Sequence, residues 1–449
     1  MGWGRWRVRR QRPGRPRVST TAGAPLHLRS TRRSALLVAA VLGAALVVVI
    51  VVATPWHLLP TPAGGRTPVD PATTFTPEQF ARAEAFTGAL RPASLASLVL
   101  GLLVSALFGL TRAGAAVART LARPLGGGWA WQVLLGTLGI LVIGRLITLP
   151  LSAYGEVVRH RYGLSTRGWG LWARDVATST GINAGLTALG LLAVVALARR
   201  APRTWWAWAG GAAAALVVVG SFLYPLLIEP AFNRFESMPA SPLRTELLAL
   251  AERSGTPVED VLVADASRRT TALNAYVSGF GSTRRIVVYD TLLDQLPDEQ
   301  IESIAAHELG HVANDDVLTG TLIGALGAGA GTALLGWLLG STPLLRRAGA
   351  AGPGDGQVVG LLLFLLALGT LVSTPVQNLV SRHIEARADL HALDLSQDPA
   401  SFVAVQQSLG AANLNDPDPP VVWQWFFGSH PTVPQRIAFA GDWAAVHGR

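Results

Sequence analysis

The chain has 449 residues, 50% hydrophobic and 14% charged, with a mean hydropathy of +0.37; soluble domains carry roughly 25% charged residues, so a wholly soluble protein is excluded. There is no cysteine, which excludes disulfides, thiolate metal sites and cysteine nucleophiles and leaves any metal to carboxylates and the 9 histidines. The net charge of +9 and pI near 11.0 come from arginine alone, and the positions of those arginines beside apolar runs speak for a bilayer, with no nucleic acid expected as a partner.

Residues 1–33 hold ten arginines, no acid, and scattered Pro and Gly. This reads as a disordered Arg-rich arm that sets topology and meets anionic lipid. Seven apolar runs of bilayer-spanning length follow, at about 34–54, 93–111, 129–151, 176–198, 205–227, 317–340 and 358–380. The first is too long for a signal-peptide core and has no small-residue cleavage exit, so it is expected to stay as an anchor. Trp129, Trp131, Trp205, Trp206 and Trp208 fall near span ends, where indole rings favour the interface. The run "GTLIGALGAGAGTALLG" in the sixth span places Gly320 with Gly324 and Gly327 with Gly331 at small-xxx-small spacing. Close helix packing explains it; a phosphate loop would need a preceding strand.

Residues 34–227 thus hold spans one to five and 317–380 spans six and seven. Between them lies a polar insertion, 228–316, and after them a polar C-terminal segment, 381–449. In the insertion "SPLRTELLALAERSG" has helical spacing and "VEDVLVADAS" a strand-like run. "NAYVSGFGSTRRIVVYD" reads as two strands around a Gly/Ser turn. A helix follows, with Pro297 at its first position and Asp298 and Glu299 favourable against the dipole. The expected fold is mainly α: a polytopic seven-helix transmembrane bundle, multi-pass in the cell membrane, with a small α+β insertion between spans five and six.

That last helix carries "AAHELGHVANDD". Residues four apart share a helix face, so His307 and His311 can present two imidazoles to one ion, with Glu308 placed to reach a water on it. This is the logic of HExxH: two nitrogen ligands, and a carboxylate that takes a proton from the bound water. Zinc suits such a set, one per chain, in a four-coordinate site with one open position. A third protein ligand is needed. "SRHIEARADLHALDL" offers Glu385 for the metal and, one turn on, Asp389 to orient a ligand imidazole. His383 and His391 lie well off that face. The bland alternatives are a surface helix with two solvated histidines, and an acidic face paired with Arg382 and Arg387. Two rival functions are a zinc transporter, which would bury the motif in an apolar span, and a catalytically idle zinc-binding scaffold or sensor, which would not need Glu308.

With these residues in place, the sequence resembles the type I CAAX prenyl endopeptidases, integral-membrane zinc metallopeptidases. The resemblance runs over about residues 150–440 through an ordered set: "YGEVVRHRYGLSTRGWGLWARD", "IEPAFNRFESMP", "LNAYVSGFGSTRRIVVYDTLL", "AAHELGHVAND", "SRHIEARADLHA" and "SHPTVPQRI". It implies that His307, His311 and Glu385 bind zinc, that Glu308 is the general base and that Asp389 supports the ligands. It further implies that His430 donates to the oxyanion, that Arg436 supports the site, and that Asn274 and Ala275 line a cleft where an edge strand pairs with an extended peptide. The substrate would be a peptide or membrane protein. The N-terminal third departs from the family pattern beyond its apolar spans. The heavy use of Arg, Ala, Gly and Leu suggests a GC-rich bacterial genome, where prenylated proteins would be unexpected.

Topology is read in two ways. An N-terminus inside places eighteen arginines in short inside segments against seven outside, which puts the catalytic insertion outside the cytoplasm. The resemblance implies a cytoplasmic catalytic face.

Overall fold

The computed structural model describes residues 26–227 and 229–449. Among them seven helices are long and apolar enough to cross a membrane, at the seven places expected. Helix α1 (Leu26–Ala53) begins earlier than the sequence suggested, so residues 26–33 are helix and not part of a disordered arm. No Pro or Gly follows Pro25 before the span, and helix propagates readily from a formed nucleus. The rest of the arm, 1–25, lies outside the described residues.

After α1, the short α2 (Pro71–Thr74) leads through a capping box, Thr76 with Gln79, into α3 (Pro77–Leu110). Helix α4 (Ala113–Ala122) turns the chain into α5 (Trp129–Arg161), then α6 (Trp169–Arg200) and α7 (Trp205–Leu227). The insertion holds strand β1 (Phe235–Ser237), α8 (Pro242–Arg253), β2 (Asp260–Ala264), β3 (Ala275–Ser278), β4 (Arg285–Tyr289), α9 (Asp290–Gln295) and α10 (Asp298–Ala313). Pro297 sits one residue before α10, at its N-cap. Two further crossings, α11 (Asp316–Leu339) and α13 (Val359–Ser396), flank α12 (Thr342–Ala348). The chain ends in α14 (Pro399–Ala412), α15 (Val421–Phe427) and α16 (Val433–Val446).

Neighbouring helices touch in the order α13 to α3, α3 to α5, α5 to α6, α6 to α7 and α7 to α11, and α11 returns to touch α13; α1 packs on α11. The spans therefore form a ring. A bilayer core needs only about 20 residues of helix; α3, α5, α6 and α13 are 32 to 38 residues long. Their overhang builds a platform at one end, and the polar segments sit on it. There the sheet has order β1-β2-β4-β3, with β2 and β4 parallel and both outer pairs antiparallel, leaving β3 as an edge strand. The hairpin of β3 and β4 matches expectation; β1 is too short to read from sequence. Leu247, Ile286, Ile301 and Leu309 of the insertion share one core with Phe402 and Trp443 of the C-terminal segment. The two polar segments thus fold as one unit, although two membrane crossings separate them.

The opposite end is plugged by a second core that includes Ala118, Val133, Trp205, Leu339 and Val358. Arginines cap this end. Arg32 lies over Trp337, Arg347 donates to Leu110 O at 3.0 Å, and Arg199 donates to Gly354 O at 3.0 Å. The arginines of the short connecting segments away from the metal centre thus gather at this end; the positive-inside rule favours it as the cytoplasmic one, whereas the family resemblance implies a cytoplasmic catalytic face. The absence of cysteine allows a direct check. In intact cells a Gly64→Cys chain, altered at the catalytic end, should react with an impermeant maleimide, and a Gly128→Cys chain should react only after permeabilisation. The reverse pattern would put the catalytic face inside.

Candidate metal centre

The centre is set by how closely α10 approaches α13. The buried face of α10 includes Ile301, Ala305, Ala306, Leu309 and Gly310. A Cβ at Gly310 would stand 3.0 Å from His391 Cβ and 3.1 Å from Ala388 Cα. Glycine there, facing Ala388, lets the two helix backbones nearly touch, as small residues do at tight helix crossings. The result is that side chains one turn apart on α10 meet the catalytic-end stretch of α13.

His307 and His311 project together, ring centroids 4.9 Å apart and planes near perpendicular at 89°. The Glu385 carboxylate faces both, with Oε2 3.3 Å from His307 Nε2 and Oε1 3.7 Å from His311 Nε2. One donor atom from each of the three lies within 4.8 Å of the others. Tetrahedral ligands at zinc bond lengths stand about 3.3 Å apart, so these spacings need little adjustment. Glu385 Oε2 is buried and outside the hydrogen-bond network of the site, with His307 Nε2 3.3 Å away. A buried carboxylate oxygen aimed at a common point with two ring nitrogens is what a cation would satisfy.

Each imidazole is held from behind by a carboxylate, and each carboxylate by an arginine. His307 Nδ1 lies 2.9 Å from Asp389 Oδ1, and Arg436 donates through Nε to Asp389 Oδ2 at 2.9 Å. His311 Nδ1 lies 2.8 Å from Asp316 Oδ2, which is paired with Arg387. Such partners fix the ring that ligates through its other nitrogen. The charges also point to the occupant. Glu308, Glu385, Asp389 and Asp316 oppose only Arg387 and Arg436, an excess of two negative charges around neutral imidazoles. The His307 ring shows the same demand: burial opposes its charged form, yet Asp389 and Glu385 outweigh burial and push it up to about 9. A divalent cation in that proton's place would balance the set.

Glu308 lies half-buried beside His307, its carboxyl pushed up by burial, which the two imidazoles oppose. His430 reaches in from the loop before α16, its Nε2 3.3 Å from Glu385 Oε1 and its Nδ1 2.9 Å from Ser429 Oγ. These groups line a cavity of about 730 Å³, with Asn274, Ala275 and Tyr276 of the β3 edge on one wall and Trp423 and Phe427 of α15 on another. The structure therefore brings together every site residue expected from sequence: His307, Glu308, His311, Glu385, Asp389, His430, Arg436, Asn274 and Ala275. His383 and His391 stay outside, the first against Trp56 and the second on Ser254. The acidic face is not a solvated one, since Arg387 pairs with Asp316, and Arg382 holds the backbone carbonyls of α15.

Sequence reasoning missed two residues. Asp316 stood at the end of the polar insertion and was given no role; its position five after His311 was the available signal. Asn413 was not singled out at all. Its amide brackets Leu273, accepting from Leu273 N at 2.8 Å and donating to Leu273 O at 3.1 Å, so it fixes the chain just before β3.

A carboxylate-backed pair of helical histidines, opening on a cavity at the end of a helical ring, defines a membrane-embedded metallopeptidase. Comparison with known proteins agrees. The model of peptidase family M48 matches residues 237–444, and that of the CAAX prenyl protease N-terminal region, five membrane helices, matches 63–234. The chain is 33% identical over 301 residues to the uncharacterized metalloprotease YhfN of Bacillus subtilis, covering 67% of this chain and 71% of that one. It is 30% identical over 316 residues to the CAAX prenyl protease 1 homolog of Arabidopsis thaliana, covering 67% and 71%. The fold matches the crystal structure of S. mikatae Ste24p with a TM-score of 0.74 at 20% identity, over 92% of this chain and 99% of that one. The chain belongs to peptidase family M48, and it is a multi-pass membrane metalloprotease resembling the CAAX prenyl proteases.

Replacing Asp316 or Asp389 by Asn should lower metal affinity about 10–100-fold in chelator competition. Equal affinity in both variants would mean that the carboxylates do not orient the imidazoles.

Proposed function

We propose that the protein is a zinc endopeptidase acting on extended, membrane-associated peptides, with His307, His311 and Glu385 as metal ligands. One observation carries the reading: Glu308, the three donors and the edge strand β3 share one cavity. Zinc bound there supplies a Lewis acid and a water acidified toward neutrality.

The chain's own residues supply the rest. An extended peptide adds to β3, its backbone registering against Asn274 and Ala275, while Asn413 holds the preceding residue in place. Glu308 takes the proton of the attacking water and passes it to the leaving amine; burial favours a carboxylate poised for that exchange. His430 donates a hydrogen bond to the oxygen that becomes negative. Arg436 and Asp389 hold the His307 ring, and Arg387 with Asp316 holds His311.

CAAX prenyl proteases are named for a prenylated substrate. The composition of this chain argues for other substrates: membrane-associated peptides and damaged membrane proteins. An idle zinc-binding scaffold would have no use for Glu308 in the cavity. A zinc transporter would place HExxH within an apolar span, whereas α10 begins in "DEQIES" and belongs to the core shared by the two polar segments.

Glu308→Gln should keep zinc and lose about 10²–10⁴-fold in peptide cleavage by the detergent-purified chain. His430→Ala should lose about 10²–10³-fold in kcat with little change in KM. A Glu308→Gln protein as active as the native one would remove the proposed base.

A further inference from the structure

Outside the metal centre, the most deeply buried carboxylate among the described residues is Glu156, near the catalytic end of α5. It belongs to the run "YGEVVRHRYGLSTRGWGLWARD", to which the mechanism gives no role. Its carboxylate accepts from Ser165 Oγ at 2.5 Å and from two nitrogens of Arg167, Nε at 2.8 Å and Nη2 at 2.6 Å. Arg167 Nη1 lies 3.5 Å from Asp175 Oδ2 on α6. Asp175 takes a two-point contact from Arg269 of the insertion, Nε at 3.0 Å and Nη2 at 3.3 Å. Arg269 Nη1 donates to Asn233 Oδ1 at 3.2 Å. Charges alternate along this chain from the membrane ring to the polar unit.

Apolar packing of similar volume often holds such elements as well as buried ions do. What the ions add is direction, because a bidentate arginine suits one orientation of its carboxylate. That direction leads to one place. The loop from α5 to α6 pairs along its length with residues 267–271. Thr166 donates through N to Arg269 O at 3.2 Å and through Oγ1 to Ser267 O at 2.7 Å. Thr270 Oγ1 donates to Leu164 O at 2.8 Å, and Thr271 Oγ1 to Gly163 O at 3.0 Å. Asn274 follows shortly after, and β3 begins at Ala275.

Strand β3 is an edge strand with β4 as its one sheet partner. A peptide that adds to it needs backbone donors and acceptors held within hydrogen-bond geometry. The α5–α6 loop and Asn413 both fix the residues that lead into that strand. None of these bonds ends on α10 or α13, the helices that carry the metal ligands.

Resting on the peptidase reading, we infer that Asp175 and Arg269 are positioning residues for the substrate. With Glu156 and Arg167 they tie the membrane ring to residues 267–271, and so set where β3 presents its backbone to an extended peptide. They touch neither the ion nor the reacting bond. Their loss therefore acts on peptide binding and leaves the metal centre as it is.

The test uses full-length protein in detergent and two separate readouts. Affinity for a fluorescent extended peptide is read by anisotropy in a Glu308→Gln background, so that it does not depend on turnover. Zinc affinity is read by chelator competition on the same preparations. Arg269→Gln should weaken peptide binding about tenfold with zinc affinity unchanged, and Arg269→Lys should recover part of the loss. Asp175→Asn should behave alike, and the double variant should be no worse than either single one, because both changes break the same link. If Arg269→Gln does not fold, Thr270→Val carries the test: it removes the bond to Leu164 O with little change of shape, and should weaken the peptide and spare the zinc. Peptide binding unchanged in the folded variants, or peptide and zinc affinity falling together, would overturn the assignment. Absence of cleavage by the native protein would instead count against the peptidase reading, since the binding comparison stands without turnover.

Discussion

The chemistry of the catalytic unit depends on one close approach between two helices. Helix α10 brings two histidines and α13 brings one glutamate, and only the near-contact of the two backbones at Gly310 and Ala388 lets the three side chains share a point in space. A side chain at Gly310 would hold the helices apart by a few tenths of an ångström or more, and metal sites tolerate deviations of only about 0.2 Å. The single core shared by the insertion and the C-terminal segment locks that approach. The membrane ring is therefore more than an anchor: the crossings α11 and α13 carry the chain out and back so that the third ligand arrives on a helix that is itself fixed in the bilayer.

Burying four carboxylates and two arginines around two imidazoles is expensive unless every charge is paired and hydrogen-bonded. The His307–Asp389–Arg436 and His311–Asp316–Arg387 chains meet that condition on both sides of the site. What they leave over is Glu385, aimed at the two Nε2 atoms, and Glu308 beside them. The structure is thus electrostatically incomplete by about the charge of one divalent cation, and the raised proton affinity of His307 expresses that shortfall. Rigid second partners also explain why a site at the end of a membrane bundle can be preorganised without disulfides.

Much of this was legible in the sequence, for physical reasons. Apolar runs of bilayer length have few alternatives, and HExxH with a downstream glutamate fixes its own helix faces. The resemblance to the CAAX endopeptidases placed His430, Arg436, Asn274 and Ala275 around the same cleft. What periodicity could not show was long-range pairing. Asp316 stood at the last position of the polar insertion, and its role depends on a fold that returns Arg387 to it. Asn413 acts on Leu273 across 140 residues. The parallel pairing of β2 with β4 and the three-residue β1 carry no local signal strong enough to read. The start of α1 was misread because arginine density suggested disorder where the residues beyond Pro25 are compatible with helix.

The account stands or falls on whether three side chains from two helices hold one ion. Zinc content measured by mass spectrometry on the purified native chain, and on Glu385→Ala under the same buffered zinc, tests this most directly. The account predicts one zinc per native chain and near-complete loss in Glu385→Ala with the helical spectrum retained. Full zinc occupancy in a folded Glu385→Ala protein would contradict it.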